Sequence, residues 1–295
     1  MANIVSHVVT VAGSPEAVRR FRNRMITGPV DAGSPSFDFA ALVPMPSCLE
    51  HTLASSFASD GLIILGEFDL PDPLASLRTV GQQADLMLAY PWVREARATD
   101  RAGLADLLKR RARADGDLQQ RLDLARASIA AFRETGHVTS GSWANENWGC
   151  DGVRGFALVE DEPERLRFEL GTAWASPDSI WSRIAEAFPD VTVDVVGFEE
   201  AWHFAVTGEI AGGRNGVVAV DADPALYERV YGEPFQDEEE GGPAPSPAIS
   251  ASAAPPAAPP ADRYRTLERL AERVNWDLVG LLLAAIVVAA YVAWS

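Results

Sequence analysis

Apolar and polar positions alternate near the start of the chain and again after residue 150, with a helical pattern between. Asn3 to Ala12 is rich in Val and Ile with polar residues interleaved, which is the period of a strand. Gly13-Ser14-Pro15-Glu16 then supplies a helix start: a hydroxyl to accept from exposed amides, a proline suited to the first turn, and an acid that complements the helix dipole. Val18, Phe21 and Met25 form an apolar stripe on that helix, and Gly28-Pro29 ends it. Ser36 to Val43 predicts a second strand with Phe37 and Phe39 on one face, left through Pro44-Met45-Pro46.

The middle reads as helical. Pro73 to Tyr90 predicts a helix through Leu74, Leu77, Val80, Ala84, Leu86 and Leu88, with Gly81 as a weak point. Asp100 to Thr135 predicts one long polar helix, or two broken near Asp115-Gly116. Alternation returns in a hairpin, Val153–Glu160 and Arg165–Ala173, turned at Asp161-Glu162-Pro163-Glu164. Ala175-Ser176-Pro177-Asp178 opens another helix with Ile180, Ile184, Ala187 and Phe188 on one face; strands follow at Val191–Phe198, Ala201–Ile210 and Val217–Val220. A Ser-Pro-acid start thus follows a strand twice, and the second strand–helix–strand unit mirrors the first. The expected class is α+β: a ferredoxin-like βαββαβ antiparallel sheet over residues 1–231, with a helical insertion at about 72–136.

From Gly232 the pattern stops. Residues 232–262 carry an acidic run, Asp237 to Glu240, and then Pro, Ala, Ser and Gly, a mixture that cannot build a core and reads as a disordered linker. Residues 263–277 form a charged amphipathic segment, and 278–294 (LVGLLLAAIVVAAYVAW) has no charge. As a helix that run would span roughly 25 Å, slightly short of the ~30 Å hydrocarbon core of a bilayer. Leu278, Leu283 and Ile286 lie within it, Trp276 just before it, and Tyr291 and Trp294 at its far end, as interfacial aromatics do. It predicts a single-pass anchor in the lipid bilayer. Arg263, Arg265, Arg269 and Arg273 precede it, which keeps the N-terminal side in the cytoplasm. Ala285, Ala289 and Ala293, at four-residue spacing, would let two anchors pack as a weak homodimer.

Composition narrows the function classes. A net charge of −17 argues against a general nucleic-acid binder, and it fits repulsion from anionic lipid over most of the surface or a partner that is itself basic. The strong basic cluster, Lys109-Arg110-Arg111-Ala112-Arg113, reads as a contact for lipid head groups or nucleic acid, or more plainly as a solvated helix face paired with nearby acids. Cys48 and Cys150 are too few for a disulfide framework or a four-thiolate cluster, so no iron–sulfur centre or other cofactor is expected. The start of the chain lacks a basic n-region and a long apolar h-region, so no secretory signal is expected.

Candidate chemistry is sparse. His7, His51, His137 and His203 stand far apart, without a His-Glu-x-x-His, Cys-x-x-Cys or phosphate-loop pattern, so no metal ligand set is assigned. Glu199 and His203 would share one face of a strand while Glu200 points away, a surface pair. Gly141 to Trp181 concentrates Trp143, Asn145, Glu146, Asn147, Trp148, Gly149, Asp151 and Trp174. Flat apolar faces beside amides and carboxylates suit a planar or sugar-like ligand, or a partner contact. The competing reading makes Trp148 and Trp174 core side chains and Asn145–Gly149 a loop. An enzyme would have to use Glu146, Asp151 or His203.

Glu146-Asn147-Trp148-Gly149, and Thr172-Ala173-Trp174 followed by Ser176-Pro177, resemble the signature of the YubB-type ferredoxin-like domain family, found on bacterial plasmids and phages. Asn3, Val8 to Val11, Gly13, and Phe37-Asp38-Phe39 leading to Pro44-Met45-Pro46 extend the resemblance from Asn3 to about Gly212. The chain departs where relatives carry a Pro-Asn-Trp-Cys-like opening, here Ala2-Asn3-Ile4-Val5, and a Thr-Lys-Trp-Asp run, here Cys150-Asp151-Gly152. The resemblance implies a fold and no iron–sulfur centre, and it implies no activity. With the anchor it implies a tail-anchored, cytoplasm-facing binding or adaptor protein of a bacterial mobile element, in the inner membrane. Alternatives are an acidic decoy of host DNA-binding proteins and an uncharacterised enzyme.

Overall fold

β1 (Ile4–Gly13) carries the expected alternation: Val5, His7, Val9 and Val11 are buried on one face, while Ser6, Val8 and Thr10 are half-buried on the other. The computed structural model describes residues 3–28 and 35–235. These lie in the first of the chain's two units, Met1–Pro259; the second, Pro260–Ser295, falls outside them. Ser14 caps α1 (Pro15–Met25) by accepting from the Ala17 amide at 3.3 Å, and Val18, Phe21 and Met25 bury its stripe.

The second strand is not where the pattern places it. β2 (Ile26–Thr27) pairs with β3 (Ser36–Phe37) in a ribbon of two residues per strand, separate from the main sheet. Asp38 then accepts from the Ala40 amide at 2.8 Å and winds Phe39–Ala41 into a 3₁₀ turn. Phe37 and Phe39 are both buried, as an edge-on ring pair 5.8 Å apart.

The helical middle comprises α2 (Ser56–Leu65), a hairpin of β4 (Pro71–Asp72) and β5 (Ala75–Thr79), α3 (Val80–Leu88), α4 (Pro91–Glu95), α5 (Arg101–Asp115), α6 (Leu118–Thr135) and α7 (Ser140–Asn147). The helix expected from Pro73 starts only at Val80. Asp72 accepts from the Leu74 amide and turns the hairpin, and a reciprocal capping box between Thr79 and Gln82 fixes the start of α3. Gly116, at φ +77°, separates α5 from α6. Leu62, Ile63, Val80, Ala84, Val93 and Leu104 belong to a core of their own among these helices. Arg121 on α6, mostly buried, pairs with Asp60 and Asp117 and lies 4.1 Å from the Phe57 ring centre.

The chain then returns to the sheet through β6 (Val153–Glu162), β7 (Arg165–Ala173), α8 (Asp178–Ala187), β8 (Val191–Glu199), β9 (Ala205–Ala211), β10 (Arg214–Asn215), β11 (Val218–Val220) and α9 (Pro224–Tyr231). The strand order is β10-β9-β8-β1-β7-β6, with β11 also on β9, and every pairing is antiparallel. Residues of α1 and α8, including Phe21, Met25, Ile180 and Trp181, pack on Val9, Val11, Phe168 and Val193 of one face. α9 and Trp202 cover Val196 and Phe198 on the other.

The protein is therefore a mixed α/β fold built on a seven-stranded antiparallel sheet, and the expected ferredoxin-like βαββαβ plan is overturned. The Asp38 turn withdraws 36–43 from the sheet, and β9, β10 and β11 extend it on the other side. The linker and the expected transmembrane helix lie outside the described residues. No helix among the described residues is long and apolar enough to cross a membrane.

The crossing of α2 and α6 yields a test. A Cβ on Gly61 would lie 2.2 Å from the Arg121 carbonyl oxygen and 2.8 Å from the Ala125 Cβ, so the two helices meet at backbone distance. Gly61→Ala is expected to force them apart and destabilise the fold by about 1–3 kcal/mol in urea unfolding. An unchanged midpoint would mean that the helices do not meet there.

Candidate functional site

The Trp-rich stretch builds a corner rather than a loop. Thr139 caps α7 by accepting from the Ser142 amide at 3.1 Å, which places Asn145, Glu146 and Asn147 on a helix. The Asn145 side-chain amide donates to the Gly141 carbonyl at 2.8 Å and that of Asn147 to the Trp143 carbonyl at 2.9 Å. Trp148 donates Nε1–H to the Val43 carbonyl at 2.9 Å, with its ring edge-on to Phe39 and Trp143 at 5.7 and 5.5 Å. The groups expected to orient a ligand are thus taken up by the chain's own carbonyls. Glu146 remains exposed, 3.4 Å from His137 Nε2.

Gly149 turns the chain out of this corner at φ +87°, and a Cβ there would lie 2.9 Å from the Asp178 amide nitrogen. The turn therefore presses directly on the start of α8. Ser176 does not cap that helix, as its sequence position suggests. Its Oγ accepts from Trp181 Nε1 at 3.0 Å, and Pro177 holds the cap position. Thr172 donates to the Ala175 carbonyl at 2.7 Å, and half-buried Trp174, at φ +68°, donates its amide to the Asn3 carbonyl at 2.8 Å. Asp151 pairs with Arg154; burial raises its carboxyl above the ordinary range and the guanidinium opposes the rise. Burial pushes the Cys150 thiol up to about 12, which leaves it protonated and unreactive near neutral pH.

Beneath the corner lies His7, which its isolated position in sequence did not single out. Its ring is edge-on to Trp181 at 6.0 Å, and Nδ1 lies 2.9 Å from the Leu170 carbonyl oxygen. A carbonyl only accepts, so Nδ1 carries the proton and Nε2 is left as a buried acceptor without a partner among the described residues. Burial lowers the pKa of His7 to about 4. Gly197, opposite His7 in register, makes room for it: a Cβ there would come within 2.6 Å of the imidazole Cδ2. The visible signal for His7 was its place among Val5, Val9 and Val11 on the apolar face of an alternating strand.

Glu199 occupies the next position on the same face of β8, and it is buried. Its Oε2 accepts from the amides of Ala201 and His203 and from His203 Nδ1, each at 3.1 Å, while Oε1 has no partner. The expected pairing across one strand face is corrected: the strand ends at Glu199, Trp202 turns at φ +63°, and His203 reaches back. Among the described residues, no group of three or more His, Cys, Asp and Glu is placed to hold a metal ion.

Two expected outcomes follow from this geometry. His7 has a folded pKa of about 4, below the ordinary imidazole value of 6.5, so the stability it confers is present above 6.5 and is lost as pH falls toward 4. Between pH 7 and 4.5 the unfolding free energy should fall about 2–3 kcal/mol further than that of His7→Leu. Parallel pH profiles would show that the imidazole is not held neutral. Trp148→Phe keeps the ring contacts but orphans the Val43 carbonyl, and should cost about 1–2 kcal/mol in the same assay.

No family model matches the chain, and no curated protein matches it. One solved structure aligns with it: the crystal structure of a protein api92 from Yersinia pseudotuberculosis, of the family DUF1281. The alignment covers 76% of this chain and 99% of that one, at 11% identity and a TM-score of 0.36, a score too low to argue fold or function from.

Proposed function

We propose that the chain is a binding or adaptor protein that presents a rigid contact surface at the cytoplasmic face of a bacterial inner membrane. The observation that carries this reading is the internal hydrogen bonding of the Trp corner. Asn145, Asn147 and Trp148 each donate to the chain's own carbonyls, and Gly149 locks the turn against α8. Such a corner gains little by rearranging around a small ligand, but it holds Glu146 and Trp174 in fixed positions at the surface. Asp151, already tied to Arg154, supports the corner from below. The resemblance to the YubB-type family supports an origin on a mobile element.

The membrane part of the reading is supported by sequence. Residues 278–294 carry no charge, are flanked by Trp276 and closed by Tyr291 and Trp294, and follow four arginines. Full-length protein is expected to stay with bacterial membranes through a carbonate wash, and Leu283→Arg with Ile286→Arg should release it to the soluble fraction. External protease should spare residues 3–235 in spheroplasts and digest them after lysis. Wild-type chain in the wash would overturn the tether. A photocrosslinker at position 146 should capture one protein partner in a Trp174-dependent way, and capture of host nuclease subunits instead would favour the decoy.

A further inference from the structure

The basic cluster of α5 does not have the acid partners expected of a solvated face. Lys109, Arg110 and Arg113 lie on the side of α5 away from buried Leu104, Leu107 and Leu108, and among the described residues none of the three makes an ion pair. Asp106 shares that side one turn earlier without pairing to them. Arg111 projects differently and lies over the Trp92 ring at 4.4 Å from its centre, which joins the end of α5 to α4. Arg94 and Arg97, on and just after α4, are exposed, and Tyr90 before it is 44% exposed. Across Asp106 to Asp115, four cations face two acids, a local net of +2 in a chain whose total is −17.

We infer that α4 and the C-terminal half of α5 form a docking face for an anionic bilayer surface. Charge complementarity selects the occupant. A bilayer needs one flat cationic face with interfacial aromatics at its edge, and Tyr90 and Trp92 supply these beside the arginines. A nucleic acid needs a cationic track along its backbone, whereas the cations here are confined to one short face. The cations are few, so the face is weak alone. The inference rests on the proposed tether for its strength in the cell, since a tethered face meets the bilayer at high effective concentration.

Two vesicle types separate the face from the tether: phosphatidylcholine alone, and phosphatidylcholine with phosphatidylglycerol. The wild-type full chain should co-sediment with both. The full chain carrying Leu283→Arg and Ile286→Arg should co-sediment only with the anionic vesicles, and less so at raised salt. Adding Arg110→Ala and Arg113→Ala should weaken that remaining affinity roughly 25-fold, about fivefold per cation. Their exposure predicts an unchanged urea midpoint, which would confirm that the variant is folded. Hydrogen exchange in peptides spanning 91–113 should slow on anionic vesicles and not on neutral ones. Equal sedimentation of the tail-disabled chain with both vesicle types, or protection of 91–113 by duplex DNA and not by anionic vesicles, would overturn the inference. Failure of the wild-type chain to bind neutral vesicles would remove the tether and leave the face standing.

Discussion

The structure depends on a strand that is first in sequence and central in space. β1 is hydrogen-bonded along both edges, so Val9 pairs with Phe168 on one side and with Val195 on the other. Neither edge can be satisfied until the last third of the described chain has formed. Such distant antiparallel pairing carries a loop-closure cost before it yields any burial. The apolar face of β1 is what makes closure worthwhile, because Val9 and Val11 enter one core together with residues of α1 and α8. The helices from Ser56 to Asn147 belong to the loop that must close. They hold a separate core, which lets them gain stability without waiting for the sheet.

The Trp corner is the joint between these two parts. α7 ends the helical stretch, Trp148 reaches back to the Val43 carbonyl, and Gly149 brings the backbone against the start of α8. From there Trp181 continues inward, through its bond to Ser176, to the ring of His7 on the central strand. A change in this corner therefore reaches β1 through packed rings and two hydrogen bonds. His7 is kept neutral because the space around it is filled by Trp181 and by the close approach of Gly197, and protonation would place a charge where nothing can solvate it.

What could be read from sequence was local, and what could not was tertiary. The Ser14-Pro15-Glu16 start, the stripe on α1 and the break at Gly116 each depend on residues within a turn of one another, and each is present. Phe37-Asp38-Phe39 alternates like a strand, but the Asp38 side chain competes for the Ala40 amide and makes a turn that periodicity cannot report. Ser176-Pro177-Asp178 marks a helix start correctly and misassigns its serine, whose partner is an indole one turn on. α2 was missed because Leu62 and Ile63 are buried side by side in a short apolar run without a clear helical period. That Asn145, Asn147 and Trp148 spend their donors internally depends on Gly141, Trp143 and the distant Val43, and no spacing rule names those acceptors.

Ion pairing is spread over both parts of the fold, and the end of α5 stands out against it. Around the sheet, Arg20 meets Asp190, Arg22 meets Asp161, Arg154 meets Asp151, Arg165 meets Glu160 and Arg229 meets Asp194. Exposed pairs of this kind add little stability, but each cancels a positive charge that would otherwise project into solvent. The sheet domain consequently shows an acidic exterior. Its long edge strand, β6, ends in Glu160, Asp161 and Glu162 and is interrupted by two register shifts, both of which discourage pairing with another strand. On α5, Arg101 pairs with Asp85, but Lys109, Arg110 and Arg113 stand on the solvent side without an ion pair to any described residue. Since pairing is common on the rest of the surface, its absence at these three positions sets the end of α5 apart. It gives an acidic protein one face that anionic surfaces do not repel.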